Sequence, residues 1–387
     1  MAQGLFSSGT TSVARPTEPS TGSLTYSNTA SPTVTFEFTP AVVGAAATAW
    51  TVTTNTDGSS ILKTTATPAS QTFVYTTGGT AEVYVSAINA NGTSGRKTTI
   101  GTINNAPVVT LDWMVVAGGG SGGFAYSGAT GDRYATGGGG GGGYRTGNSI
   151  SLLVNSGFVL NLTVGAGGAQ NTSGGNSRFG TINVTGGGKG STTGPTQQTA
   201  AATGGSGGGG SAASPNTDGA AGNAGSYSPV EGFAGGSGSS SANTGGGGGG
   251  GAAAVGGNNS GQTGGAGGAG ANNTTFNINV AGGGGGGAGY SSGNGTIGGA
   301  GGVGGGGAGN HSGVGTNGTT NLGGGGGGSK GNIDNGSIGG SGVIRIKTSS
   351  VLNATFTGGV TQTNSTADGL TTYVITAAGA ADTVTFS

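Results

Sequence analysis

Few residues of this chain have a type and spacing suited to chemistry. Gly186-Gly187-Gly188-Lys189-Gly190-Ser191-Thr192 has the outline of a phosphate loop. That loop needs Ser or Thr directly after its lysine, and here Gly190 intervenes. Gly-x-Ser-x-Gly occurs around Ser121 and again around Ser206. A nucleophile elbow also needs a strand-turn-helix setting and a histidine partner. His311 is the single histidine, which excludes a histidine-rich metal site as well. The carboxylates Asp132, Asp218, Glu231 and Asp334 stand isolated in the sequence, so no pair is near enough in sequence to suggest a glycoside hydrolase. There is no cysteine, hence no disulfide and no thiolate metal site. The expectation is a protein that is not an enzyme and uses no cofactor and no metal.

What remains is a set of rings and one imidazole set between glycine runs. Phe124, Tyr126 and Tyr134 lie in the first such segment, Tyr227 and Phe233 flank Pro229, and Tyr290 and His311 lie in later ones. Aromatic side chains on loops held by a rigid scaffold are suited to recognising glycans or proteins. The competing reading is that they pack over the ends of the glycine segments as apolar plugs.

The element that must position them is the glycine-rich stretch, residues 118–342. Of 101 glycines, ten precede it and four follow it, so 87 fall within its 225 residues. They gather in runs of six or seven at 137–143, 245–251, 282–287 and 323–328. Between these are Gly-Gly-X patterns such as 264–270 and 298–304. A flexible linker is one reading, because glycine loses most entropy on ordering and brings no side chain to bury. The other is a bundle of extended threefold rods of the polyglycine-II type. Such a rod has three residues per turn, about 3.1 Å rise and no internal hydrogen bonds, so its polar groups are free to bond neighbours. A rod at the rim can show one side chain per turn, giving Gly-Gly-X. A rod surrounded on all sides needs glycine throughout. The similar run lengths, and the strand-like ends Trp113-Met114-Val115-Val116 and Val343-Ile344-Arg345-Ile346-Lys347, favour the bundle. Roughly half of its loops would face adjoining domains.

The predicted fold class is mainly β with essentially no α-helix. Residues 1–15 read as an N-terminal arm. Residues 16–105 carry strand-like runs at 23–27, 33–39, 49–54, 61–65, 72–76, 81–89 and 97–102, separated by Asp57-Gly58, Gly78-Gly79 and Asn91-Gly92. Seven short strands with turns between them predict a β-sandwich, with Trp50 central in its core. Residues 106–117 read as a connecting strand buried on both faces. Within the glycine stretch, 151–164 alternates around Asn155-Ser156-Gly157, Phe179, Ile182 and Val184 continue that pattern, and 275–280 is a second insert. Residues 343–387 read as a β-cap with strands at 343–347, 354–356, 371–376 and 383–386.

The run Val83-Tyr84-Val85-Ser86-Ala87-Ile88-Asn89-Ala90-Asn91-Gly92-Thr93-Ser94 resembles the F strand and F–G turn of fibronectin type III domains, with Ala81 where that family carries its corner tyrosine. Trp113-Met114-Val115-Val116-Ala117-Gly118-Gly119-Gly120, Leu162-Thr163-Val164-Gly165-Ala166-Gly167-Gly168 and Gly340-Ser341-Gly342-Val343-Ile344-Arg345-Ile346 resemble the glycine-rich domains of tailed-phage tail fibres and adhesins, familiar from cyanophages. That resemblance implies polyglycine-II rods whose loops at one end contact a host receptor. Its partners would be other virion proteins and a host glycan or outer-membrane protein, with a homotrimer as a candidate assembly. Alternatives are a capsid decoration or head-fibre protein and, more remotely, an ice-binding or matrix protein. Charged residues make up 6% of the chain and formal net charge is zero, which argues against a nucleic-acid partner. Met1-Ala2-Gln3-Gly4-Leu5-Phe6 lacks the pattern of a signal peptide. The expected location is the virion surface, after synthesis in the host cytoplasm.

Overall fold

The computed structural model describes the strands of 21–105 and most of 108–387, leaving out 1–20, the links between the first eight strands, and 106–107, 126–133, 154–156, 194–197, 213–214, 242, 290–296 and 331–334. The described residues are mainly β, in several antiparallel sheets, and contain no helix. The chain divides into two compact units, one formed by Met1–Val109, Ser151–Phe158 and Phe386–Ser387, the other by Thr110–Ile150 and Val159–Thr385.

The first unit is built from β1 (Thr21–Ser27), β2 (Thr33–Thr39), β3 (Ala49–Thr53), β4 (Ile61–Thr65), β5 (Gln71–Val74), β6 (Gly79–Asn89), β7 (Gly92–Thr93) and β8 (Thr98–Asn105). One sheet runs β1-β2-β5 and the other β4-β3-β6, with β7 and β8 both pairing with β6. Trp50 and Val52 on β3 and Val85 and Ala87 on β6 are buried. Period-two alternation puts each pair on one face, and the register places Trp50 against Ala87 and Val52 against Val85.

The second unit adds β9 (Val108–Val116), β10 (Tyr144–Leu153), β11 (Phe158–Thr163), β12 (Ser177–Phe179), β13 (Ile182–Val184), β14 (Ala271–Asn273), β15 (Ile278–Val280), β16 (Val343–Ser349), β17 (Ala354–Phe356), β18 (Thr361–Ala367), β19 (Leu370–Ala377) and β20 (Thr383–Phe386). Two five-stranded sheets result, β10-β9-β16-β19-β18 and β13-β12-β11-β20-β17. The ring of Phe356 on one lies 5.6 Å from that of Tyr373 on the other. Trp113, Met114, Val115 and Val116 on β9 are buried in succession, so this strand is covered on both faces, whereas β16 alternates, with Ile344 and Ile346 on its fully buried face and Arg345 and Lys347 on the other.

Three expectations change or gain detail here. The strands on either side of Asn155-Ser156-Gly157 do not pair with each other, because β10 joins β9 while β11 joins β12 and β20. The insert at 275–280 supplies the turn and second arm of the hairpin β14-β15, whose first arm lies before it at 271–273. Phe276 sits in that turn and is buried with Met114, Val116, Val280 and Val343. The strands of 343–387 form no sheet of their own; β16, β19 and β18 extend the sheet of β9, and β17 and β20 extend that of β11.

Between the strands the glycine segments run as extended rods whose main-chain hydrogen bonds go mostly to one another. Residues 137–143 show the rule. Their N–H groups donate in turn to Ser191, Gly247, Gly326, Gly188, Gly250, Gly323 and Thr185. Every third donor therefore returns to the same neighbour, the period of a threefold rod. The carbonyls of the same run accept from Gly123, Gly209, Gly284, Gly120, Ser206 and Ala117, which belong to three further segments, 117–123, 206–209 and 281–284. The rod is thus enclosed by six others, three taking its donors and three supplying its acceptors. A Cβ added at any residue of 137–142 would come within 2.3 Å of a carbonyl oxygen. Rim rods follow the other rule. In 264–270, Ala266 and Ala269 are exposed while Gly264, Gly265 and Gly268 are buried. In 297–303, Ile297 and Val303 are 66% and 62% exposed.

Candidate functional site

The rods have two ends, and the hydrogen-bond register says which loops share one. Gly143 lies beside Ala117 and Thr185, so one end meets β9, β10 and β13. Thr136 lies beside Ser329, Gly123 and Gly287, so the loops that follow these segments gather at the opposite end. The candidate recognition residues divide between the two. Phe124, Tyr134 and His311 belong to the far end. Tyr227 and Phe233 belong to the sheet end, where Tyr144 N–H donates to the Glu231 carbonyl and Gly207 N–H to that of Phe233. Tyr126 and Tyr290 lie outside the described residues.

Their exposure divides them further. Phe124 is 4% exposed and therefore buried. It packs beside Gly336, whose added Cβ would sit 3.3 Å from the Phe124 ring, as a plug at a rod end does. Apolar area at a rod end has nothing else to cover it, since glycine supplies none. Tyr134 and Phe233 are half-buried. His311 is exposed on the 310–315 turn, where the Asn310 carboxamide accepts from the His311 and Ser312 N–H groups and donates to the Val314 carbonyl.

The best-built feature is the loop 223–231. Asn223 takes φ +53°, a conformation Asn tolerates better than most side chains. Its Oδ1 accepts from the N–H groups of Tyr227 (3.2 Å) and Glu231 (3.3 Å), and its Nδ2 donates to the Tyr227 carbonyl (3.1 Å). Glu231 is fully buried. Its side-chain oxygens accept from Thr185 N–H (2.9 Å) and Gly225 N–H (3.2 Å), so this buried polar group is met by main-chain donors. The half-buried Tyr227 ring then has Arg145 over it, with Cζ 4.4 Å from the ring centroid. The guanidinium also donates to the Asn183 carbonyl at 3.2 Å. Val230 of the same loop is 49% exposed. A ring held flat by a cation, with an exposed aliphatic residue in its loop, offers stacking area and donors together.

Sequence reasoning missed Arg145, Asn223 and the latch role of Glu231. Arg145 is far from Tyr227 in sequence, and only the register of the rods brings them together. The phosphate-loop look-alike proves to be a rim rod. Lys189 Nζ donates to Asn171 Oδ1 (2.8 Å) and Thr199 Oγ1 (3.2 Å), and burial pushes its pKa below the usual lysine value. Ser121 and Ser206 are buried inside rods with hydroxyls that find no partner. Among the described residues no group of three or more His, Asp or Glu side chains is placed to hold a metal ion.

The rods and the strands that clamp them coincide with a family signature. The model of a glycine-rich domain matches residues 98–349. The chain belongs to this glycine-rich domain family. The match begins in β8, spans every rod and ends with β16, so the clamping strands β9 and β16 are part of the family's unit. No curated protein and no solved structure matches the chain.

Proposed function

We propose that this glycine-rich domain protein is a non-enzymatic component of a bacteriophage virion. It acts as a tail-fibre or tail-tip adhesin that binds a host surface glycan or outer-membrane protein through loops between its rods. The observation that carries the reading is the closure of the rods on themselves. The enclosed rods donate and accept main-chain hydrogen bonds among each other and show no side chain, so recognition falls to the loops and the rim. A rigid scaffold presenting variable loops is the arrangement recognition proteins use. The first unit fits a fibronectin type III-like spacer. Its first, second and fifth strands share one sheet while the third, fourth and sixth share the other, a division that suits a Greek-key sandwich. Such a module would join the adhesin to other virion proteins.

The test is to find the protein on intact virions by antibody labelling, then exchange its far-end loops between phages of different host range. Label at the tail, with host range following the loops, is the expected result. Label on the head would overturn the adhesin reading in favour of a decoration protein, and absence from virions would overturn both.

A further inference from the structure

A second surface is written in the backbone of β18, independently of what the loops bind. Asp368 and Gly369, which join β18 to β19, have φ +52° and +71°. Two positive φ values in a two-residue loop define a type I′ hairpin, whose flanking residues form a hydrogen-bonded pair. Pairs then alternate along an antiparallel ladder. Ala367 with Leu370, Ser365 with Thr372 and Thr363 with Val374 are therefore the bonded pairs. Thr366, Asn364 and Gln362 turn their N–H and C=O groups away from β19. The 2.9 Å contact between the Thr366 and Thr371 hydroxyls fits the closer, non-bonded kind of pair.

Among the described residues the groups so turned meet no strand, because β18 is the last of its sheet. Natural sheets blunt such edges with charge, proline, bulges or short length. The edges β13 and β17 of the neighbouring sheet have three residues each. β18 has seven, Thr-Gln-Thr-Asn-Ser-Thr-Ala, all exposed except the half-buried Gln362. It carries no charge and no proline, and its one irregularity lies at its start, between Thr361 and Gln362.

We propose that β18 is a dimerisation edge that pairs antiparallel with β18 of a second copy of this chain. A twofold axis at Asn364, the middle residue, sets Gln362 opposite Thr366 of the partner subunit and Thr363 opposite Ser365 of the partner subunit. The outward donors and acceptors of one copy then meet those of the other. No like charges face each other, and the Thr363 hydroxyl lies across from that of Ser365 of the partner subunit, a favourable cross-strand pair. The interface is isologous, the commonest kind in homo-oligomers, and the two sheets become one.

The native chain has no cysteine, so a single introduced thiol reports cleanly. In the full chain, Asn364→Cys is expected to form a covalent dimer under mild oxidation, while Asn258→Cys, exposed on a rim rod, stays monomeric. Light scattering of the wild type should show a dimer whose population rises with concentration. Asn364→Lys and Asn364→Asp should each be monomeric alone and dimeric when mixed. Asn364→Pro removes only an outward N–H, so it should abolish the dimer while leaving the melting temperature nearly unchanged. A wild type that stays monomeric at high micromolar concentration would overturn the proposal. So would a dimer or trimer that persists in both charge variants and in the proline variant.

Discussion

At the scale of single residues, the same amino acid has opposite meanings at two depths. A Cβ at Gly141 would lie 2.3 Å from the Ala281 carbonyl oxygen and 2.7 Å from its carbon, and both belong to a neighbouring rod's backbone. No flexible side chain can move aside, so the rods must part and lose hydrogen bonds. Gly141→Ala is expected to cost roughly 3 kcal/mol or more, at the upper end of overpacking effects. Gly358 has nothing within 4 Å of its Cβ position and a φ open to other residues. Gly358→Ala should be neutral or stabilising by about 0.5 kcal/mol, through a less flexible unfolded chain. Urea melts of the two variants compare them directly, and equal effects would contradict the packing described here. The recognition residues were less legible at this scale. Phe124 and Tyr227 look alike in sequence, each an aromatic near glycines. Only the structure shows that Phe124 is buried and that Tyr227 is stacked under Arg145.

At the scale of elements, strands with an apolar face could be read from the sequence and one without it could not. β9, β16 and β19 alternate or run apolar because a sheet face covers them. β18 shows no such pattern, since nearly all of it faces solvent, so hydrophobic periodicity carries no signal there. The dipeptide Asp368-Gly369 is a turn signal in itself, but nothing in the sequence marks the strand before it. Pairing partners were hidden too, because β10 and β11 are neighbours in sequence yet serve different sheets. Between the last elements sits an electrostatic latch. The Asp382 carboxylate accepts from the Thr357 hydroxyl and the Gly379 N–H, both at 2.7 Å. The Thr357 bond, then the Gly379 bond, hold its pKa below the usual aspartate value. A carboxyl group with a depressed folded pKa stabilises the fold above its unfolded pKa of about 3.9. That contribution fades as pH falls through the folded value. Asp382→Asn should therefore melt below the wild type at neutral pH, and the gap should close under acid. A gap that stays constant down to low pH would mean the charge is not what the turn uses.

At the scale of the whole molecule, the rods replace an apolar core with a lattice of main-chain hydrogen bonds. The four pure glycine runs touch one another: 137–143 bonds to 247–250 and to 323–326, 246–249 bonds to 284–287, and 325–328 bonds to 282–285. They form the centre of the bundle, and the Gly-Gly-X rods form its rim. Each bond adds only about 0.5–1.5 kcal/mol net, so no single rod is stable alone and the lattice should open as a unit. Hydrogen exchange tests this, because protection reports the free energy of the opening that exposes each amide. Amides of 137–142, 246–251, 283–287 and 325–328 are expected to exchange last and together, although more than a hundred residues separate the first run from the last. Amides of the rim turns, such as Ser312 and Gly261, should exchange early. Gly141→Ala should then speed exchange in 246–251 and 283–287 as well as in its own run, because its carbonyl neighbour at Ala281 begins the adjoining rod. Exchange that rises only within 137–143 would show the rods to be independent. Uniformly fast exchange across all four runs would return the stretch to the flexible linker that its composition alone allows.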